Sequence, residues 1–156
     1  MIQNLDVYLW NHKVGSLVTY KERYSEKICF YFERGFLDKG YDIAPLRASI
    51  NSASIKNGLP VYAESGKIFG GLPSFIADSL PDHWGNRVFN EWAKTNGIST
   101  KNLSALDRLA YIGRRGMGAL EFLPSAAEEM EQPFKVEIAE LYKLAQSALN
   151  EAKNFK

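Results

Sequence analysis

Residues 113–118 read GRRGMG and combine glycines with two arginines, a composition that could hold a phosphate group. Phosphate-binding loops leave a strand and open a helix, because the free N–H groups of the helix must meet the anion. Here the hydrophobic pattern predicts a helix before the loop and a strand after it, and the Gly-Lys-Ser/Thr ending is absent. The order of elements therefore argues against a nucleotide-binding loop.

The residues of this run need another explanation. Gly113, Gly116 and Gly118 are predicted to occupy positive-φ backbone positions or places of close packing. Two alternatives stand for Arg114 and Arg115. Their guanidinium groups could bind a carboxylate or phosphate group of a partner, or both could lie over an aromatic surface in a solvated turn.

Asp78, Ser79, Asp82 and His83 lie close together and supply the residue types of a hydrolytic triad. A triad needs a base that is bonded to the nucleophile and oriented by a third group, and sequence neighbours seldom reach that geometry. Helix capping explains the run better, since Asp82 precedes a predicted helix and Asp78 or Ser79 can hold the turn at Pro81. We therefore predict no catalytic residue here.

Residue types that bind metals are scarce. The histidines are His12 and His83, and the single cysteine, Cys29, lies within the run ICFYF. These residues lack the paired spacing of a structural zinc site, so we predict no metal site. Cys29 is expected to act as a small apolar residue in a buried strand rather than as a reactive thiol.

Trp84 and Trp92 lie about two turns apart on one face of a predicted helix. Because aromatic residues dominate protein cores, we predict core packing for both, with an interface position for one of them as the alternative. Arg87 lies on the same helix. Together with Trp84, Arg114 and Arg115 it forms the predicted interaction surface.

The composition excludes several classes of protein. Among 156 residues, 19 Lys and Arg balance 18 Asp and Glu, which leaves a formal net charge of +1. This balance offers no broad electrostatic surface for nucleic acid, so no direct nucleic-acid binding is predicted. The sequence shows no signal peptide and no apolar run near 18 residues, which favours a cytoplasmic protein without a membrane partner.

The first half of the chain has the pattern of β-strands. Alternating residues at 5–10 and a returning run at 14–20 predict a hairpin around a turn at 11–13. A third strand is predicted at 28–32 and a fourth near 46–50. Gly35, Gly40 and Pro45 indicate a loop between the last two. Residues 51–70 are weakly patterned, with short strands near 61–62 and 67–69 as candidates.

The second half has the pattern of helices. We predict a short helix at 74–79, a longer one that begins after Pro81-Asp82 and stops at Asn96-Gly97, and a third that ends at Gly113. Ser104 and Asp107 form a capping box before the third helix, and a returning strand at 119–123 follows it. Residues 125–133 read as an acidic linker, and apolar spacing from Val136 onward predicts a C-terminal helix.

Two long motifs carry a family resemblance: LPSFIADSLPDHWG at 72–85 and LDRLAYIGRRGMGAL at 106–120. They closely resemble the N-terminal region of HipA-family proteins, bacterial serine/threonine kinases that act as toxins in toxin–antitoxin modules. The hairpin residues around Val7 and Val14 resemble the family's opening strands more loosely. His83 differs from the glycine expected between Asp82 and Trp84, and residues 51–69 match nothing in the family pattern.

The resemblance implies an α+β fold in which a small, curled, barrel-like antiparallel sheet in the first half carries packed helices. Residues 1–124 would form the HipA-like N-terminal subdomain, and residues 125–156 would be a linker and helix leading toward a kinase core. The motif residues with an implied structural role are Asp78, Pro81, Asp82, Gly85, Asp107, Arg108, Gly113, Gly116 and Gly118.

The family's ATP-binding loop, catalytic aspartate and magnesium ligand have no counterpart in this sequence, so ATP and magnesium are implied only for a full-length kinase and none is expected here. Two functions follow. In the first, the resemblance implies that the chain would be the non-catalytic N-terminal module of a HipA-like kinase, supporting the kinase lobe and contacting an antitoxin of the helix-turn-helix class or a second copy. In the second, it would be the small subunit of a split system that binds and restrains a separate kinase chain.

Overall fold

The computed structural model describes residues 2–23, 25–64, 69–116 and 118–125, together with positions 143 and 145. Its elements follow in the order β1 (Asn4–Leu9), β2 (His12–Glu22), β3 (Ser25–Phe32), α1 (Arg34–Leu37), α2 (Ala53–Lys56), β4 (Val61–Tyr62), α3 (Ser74–Ala77), α4 (His83–Thr95), a 3-10 turn (Thr100–Asn102), α5 (Ala105–Ile112) and β5 (Leu120–Pro124).

In the described part of the chain, the strands form one antiparallel sheet in the order β4-β3-β2-β1-β5. The sheet is not closed into a barrel, since β4 and β5 occupy opposite edges. The predicted α+β class and curled antiparallel sheet are confirmed. The returning strand predicted at 119–123 is β5. It pairs with β1, with Leu5 opposite Pro124 and Leu9 opposite Leu120.

The β1–β2 hairpin turns one residue earlier than the predicted 11–13. Trp10 and Asn11 form the turn with φ values of 48° and 64°, and β2 begins at His12. Two consecutive positive φ values are typical of the hairpin turn whose twist matches that of the strands. The pairing also shifts between Val7 and Tyr8, where the sheet bulges.

The predicted fourth strand at 46–50 is wrong. These residues form turns instead, because Arg47 and Ala48 both donate backbone N–H groups to the Ala44 carbonyl. The Asp42 carboxylate fixes the segment by accepting from the Ser49 hydroxyl at 2.7 Å. The apolar alternation came from Ala48 and Ile50, which are buried, whereas Leu46 is 94% exposed.

The predictions for the neighbouring segments, residues 33–45 and 51–70, are partly confirmed. The predicted loop after β3 contains the short helix α1, and the weakly patterned segment contains α2. The short strand near 61–62 is β4, which pairs with Cys29 and Phe30. The candidate strand at 67–69 falls largely on residues outside the described part of the chain.

The helices cover one face of the sheet and build the main core. Leu5, Val7 and Leu17 from the strands are fully buried against residues of α3, α4 and α5. The helix predicted at 74–79 is regular over Ser74–Ala77, and Pro73 is its N-cap residue rather than part of its first turn. Cys29 is 3% exposed, as expected for a small apolar residue in a buried strand.

Glu64 caps the start of α3 from outside the helix. Its two carboxylate oxygens accept from the Ser74 backbone N–H at 3.0 Å and from the Ser74 hydroxyl at 2.7 Å. Partial burial alone would raise the pKa of Glu64, but these hydrogen bonds outweigh it and lower the pKa below its ordinary value of 4.5. The cap is therefore strongest when Glu64 is ionised.

The predicted acidic linker and C-terminal helix lie outside the described residues, apart from single positions. Over the part of the chain that is described, no helix combines the length and the apolar character needed to cross a membrane.

Candidate functional site

The two family motifs, at 72–85 and 106–120, are called the signature motifs here. Residues of both line one surface groove of about 410 Å³, the signature groove. It lies between the segment that joins α3 to α4, the first turns of α4, and the C-terminal end of α5. Its lining comprises Asp78, Ser79, Leu80, Pro81, Asp82, Trp84, Gly85, Val88, Tyr111, Ile112, Arg115 and Gly116.

Asp82 begins α4 and fixes one wall of the groove. As the N-cap residue, it accepts the Gly85 backbone N–H on its side-chain oxygen at 2.7 Å. This satisfies one of the free donors at the helix start. Gly85 permits the tight turn because a Cβ atom there would lie 2.9 Å from the Pro81 Cβ. The predicted capping role of Asp82 is confirmed, and Asp78 is the C-cap residue of α3.

Trp84 stands at the mouth of the groove. Its side chain is 37% exposed, and the Arg87 guanidinium carbon lies 5.9 Å from the ring centroid. The prediction that both helix tryptophans pack in the core is therefore wrong for Trp84. It holds for Trp92, which is 2% exposed, because the helix turns the latter toward Phe89 and Tyr111.

The opposite wall comes from the end of α5. Gly113 ends this helix with φ 56° and ψ −117°, a backbone conformation that favours glycine. Its carbonyl accepts from the Phe122 N–H at 3.0 Å, so the helix end is joined to β5. The prediction that Gly113 has a positive φ is confirmed.

Arg115 turns back over the helix it follows. Its Nη2 atom donates to the Tyr111 carbonyl oxygen, and its guanidinium carbon lies 5.6 Å from the Tyr111 ring centroid. This is the predicted arrangement in which an arginine covers an aromatic surface. Arg115 also lines the groove, so a molecule bound in the groove would contact it.

Arg114 points elsewhere and Gly116 has another role. The Arg114 Nε atom pairs with the Glu121 carboxylate at 3.3 Å, and Arg114 does not line the groove. Neither Gly116 nor Gly118 is among the glycines with positive φ, so that alternative is wrong for both. Close packing explains Gly116 instead, since a Cβ atom there would lie 3.2 Å from the Ile112 Cγ2.

Tyr111 lines the groove and packs against two aromatic rings. Its ring packs 4.7 Å from Phe89 and 4.8 Å from Trp92, measured between ring centroids. Its hydroxyl is buried and has no hydrogen-bond partner among the described residues. Burial raises the pKa of Tyr111, while the positive charge of Arg115 opposes the rise, so the phenol stays neutral in the physiological range.

Asp107 is buried, with 1% exposure, and does more than the capping box predicts. Besides exchanging hydrogen bonds with Ser104, it accepts the Ile2 backbone N–H at 2.9 Å. The carboxylate thereby joins the start of the chain to α5. The capping motif was visible in the sequence, but no local pattern could reveal a bond across 105 positions.

The residues that resembled a hydrolytic triad lie where α3 ends and α4 begins. Asp82 uses its carboxylate as a helix cap, and Asp78 and His83 are exposed. Within the described ranges, no group of three or more His, Cys, Asp or Glu side chains lies close enough together to hold a metal ion.

The described residues thus define a class: a small α+β domain with an open antiparallel sheet and an exposed groove built from its two signature motifs. Comparison with protein families narrows this further. The family model of the HipA N-terminal domain matches residues 5–123, so the chain belongs to this family. Searches of curated proteins and of solved structures found no significant match.

Proposed function

We propose that this chain serves as the non-catalytic N-terminal module of a HipA-like serine/threonine kinase toxin, and that the signature groove docks the kinase core. The observation that carries the proposal is the exposed groove itself. The family motifs converge on it and leave Trp84 at its mouth rather than in the core.

The chemistry of the groove supports a protein partner. Leu80, Val88 and Ile112 offer apolar surface, while Arg115 and Asp82 supply opposite charges at its sides. Aromatic and arginine side chains beside an apolar centre are typical of the residues that dominate binding energy in protein interfaces. In this role the chain binds no ATP or magnesium and transfers no phosphate, and further contacts go to an antitoxin or a second copy.

The experiment compares Arg115→Ala with Arg114→Ala. Calorimetry would measure binding of each variant to the HipA-like kinase core encoded with this chain, whether that core is joined to it or separate. Arg115→Ala should weaken binding by about tenfold, which corresponds to roughly 1.4 kcal/mol, because Arg115 lines the groove.

Arg114→Ala serves as the matched control, because Arg114 pairs with Glu121 outside the groove. Equal affinity for the two variants and the unmodified chain, with unchanged melting temperatures, would reject docking through Arg115. Micromolar ATP binding by the chain alone would reject the non-catalytic role.

A further inference from the structure

A second cavity, of about 510 Å³, shares Leu80 and Pro81 with the signature groove but is otherwise lined by different residues, among them Arg108. We propose that it binds the carboxylate group of a small organic acid, with the Arg108 guanidinium as the anchor. The inference concerns a different site from the proposed docking groove and does not depend on it.

Arg108 is held in place before any ligand arrives. Its Nη1 atom donates to the Asn86 side-chain oxygen at 2.7 Å, and its guanidinium carbon lies 5.0 Å from the Phe89 ring centroid. Asn86 is itself fixed, because its amide nitrogen donates to the Pro81 carbonyl at 2.8 Å and to the Asp82 carbonyl at 3.0 Å. The arginine is therefore oriented by a residue that is locked to the α4 N-terminus.

The charge of Arg108 is not neutralised within the described residues. A guanidinium group has five N–H donors, and the bond to Asn86 uses one of them. Arg108 is the one charged side chain among the described residues that line the cavity, and the neighbouring Asp107 carboxylate is engaged by Ser104 and Ile2. A partly buried arginine with free donors favours an anion that accepts a bidentate pair of hydrogen bonds.

The remaining lining selects the kind of anion. Leu80, Leu103 and Ala105 supply apolar walls, and Asn90 adds an amide. A carboxylate carries one charge on a planar group that matches the guanidinium fork, whereas a phosphate dianion would place extra charge against apolar walls. The cavity volume falls in the range of roughly 300–1,000 Å³ that small-molecule sites occupy. A monocarboxylate with a short apolar body fits these features.

The test titrates butyrate into the full chain and follows backbone amide shifts by NMR, with uncharged butyramide as the matched probe. We expect saturable butyrate shifts at residues around Arg108 and at least about tenfold weaker binding of butyramide, which lacks the charge. N-acetyl-alanyl-leucine, which presents a peptide C-terminus, distinguishes the source. Weaker binding than butyrate supports a free acid as the ligand, and tighter binding would overturn this assignment in favour of a peptide C-terminus.

Two variants keep the inference falsifiable. Arg108→Lys retains the charge but loses the fork, and Asn90→Asp places a carboxylate in the cavity at an exposed position that should not disturb the fold. Each should weaken butyrate binding about tenfold or more, with Arg114→Gln, a charge removed outside the cavity, as the control. Equal binding of butyrate and butyramide, tighter binding of inorganic phosphate, or unchanged affinity in a folded Asn90→Asp variant would overturn the proposal.

Discussion

At the scale of single residues, the buried hydroxyl of Tyr111 is the clearest cost in the described structure. The phenol lies between Phe89 and Trp92 with no hydrogen-bond partner among the described residues, and a buried polar group without a partner costs about 1–3 kcal/mol. The ring stabilises the fold through packing, whereas the hydroxyl group carries the energetic cost.

We therefore predict that Tyr111→Phe stabilises the chain by about 1 kcal/mol, because it removes the unpaired hydroxyl and keeps the ring. Thermal unfolding should show this as an increase in the melting temperature of roughly 2–4 °C. Tyr41→Phe is the matched control, since Tyr41 is 58% exposed and its hydroxyl can reach water. A melting temperature lowered by Tyr111→Phe would mean that the hydroxyl has a stabilising partner.

Residue types alone predicted some local roles and missed others. The Ser104–Asp107 capping box and the Asp82 cap depend on neighbours in the sequence, and both could be predicted. The exposure of Trp84 could not be predicted. Its helical spacing from Trp92 places both on one face of α4 but does not show how much of that face other elements cover. Arg108 was assigned a structural role from the motif, whereas the position of its guanidinium group depends on Asn86 and Phe89 of another helix.

At the scale of elements, the β2–β3 pairing depends on one close approach. A Cβ atom on Gly15 would lie 2.1 Å from the Tyr31 carbonyl oxygen and 2.4 Å from the Phe30 Cζ. Gly15 follows the irregular pairing of the first hairpin and pairs with both Val7 and Phe32. The missing side chain thus lets the Phe30 ring fill the core beneath β2.

Gly15→Ala should accordingly destabilise the chain by about 3 kcal/mol, because the added methyl group meets backbone as well as a buried ring. Chemical denaturation would measure the loss. Gly35→Ala is the control, since a Cβ atom there has no neighbour within 4 Å. If both substitutions had equal effects, the close approach at Gly15 would be wrong.

The α3 cap predicts a dependence on pH. Because the folded chain lowers the pKa of Glu64, the contribution of this group is fully present above its ordinary value of 4.5 and is lost as pH falls through the lowered, folded-state pKa. Ser74→Ala removes the hydroxyl bond and should cost on the order of 0.5 kcal/mol at neutral pH, since the pair is solvent-exposed.

The measurement is the difference in unfolding free energy between the unmodified chain and Ser74→Ala from pH 7 to pH 3. The difference should shrink in acid, whereas Ser99→Ala should show no such trend, because Ser99 makes no side-chain cap bond. A difference that grows as pH falls would contradict the lowered pKa of Glu64.

The elements show where sequence reasoning holds. Alternation in β1 and runs of β-forming residues elsewhere predicted β1, β2, β3 and β5 to within a few residues. It was wrong at 46–50, where Ala48 and Ile50 are buried by a turn that Asp42 and Ser49 stabilise. Alternating burial can arise from a turn as well as from a strand, and only the hydrogen bonds distinguish them.

At the scale of the whole molecule, the signature motifs divide into two kinds of residue. Asp82, Gly85, Asp107 and Gly113 build the scaffold through caps and a helix end. Trp84 and Arg115 extend from that scaffold into an exposed groove. The family assignment is shown by the match over residues 5–123, and docking of a kinase core in the groove is the proposal that follows from it.

The most direct test is the affinity of the HipA-like kinase core for the Trp84→Ala variant of this chain. Trp84 is 37% exposed in the isolated domain, so Trp84→Ala should remain folded while weakening binding by about 2 kcal/mol, roughly thirtyfold. Leu46→Ala, at an exposed apolar residue outside the groove lining, should bind like the unmodified chain. Unchanged affinity of a folded Trp84→Ala variant would contradict docking through the signature groove.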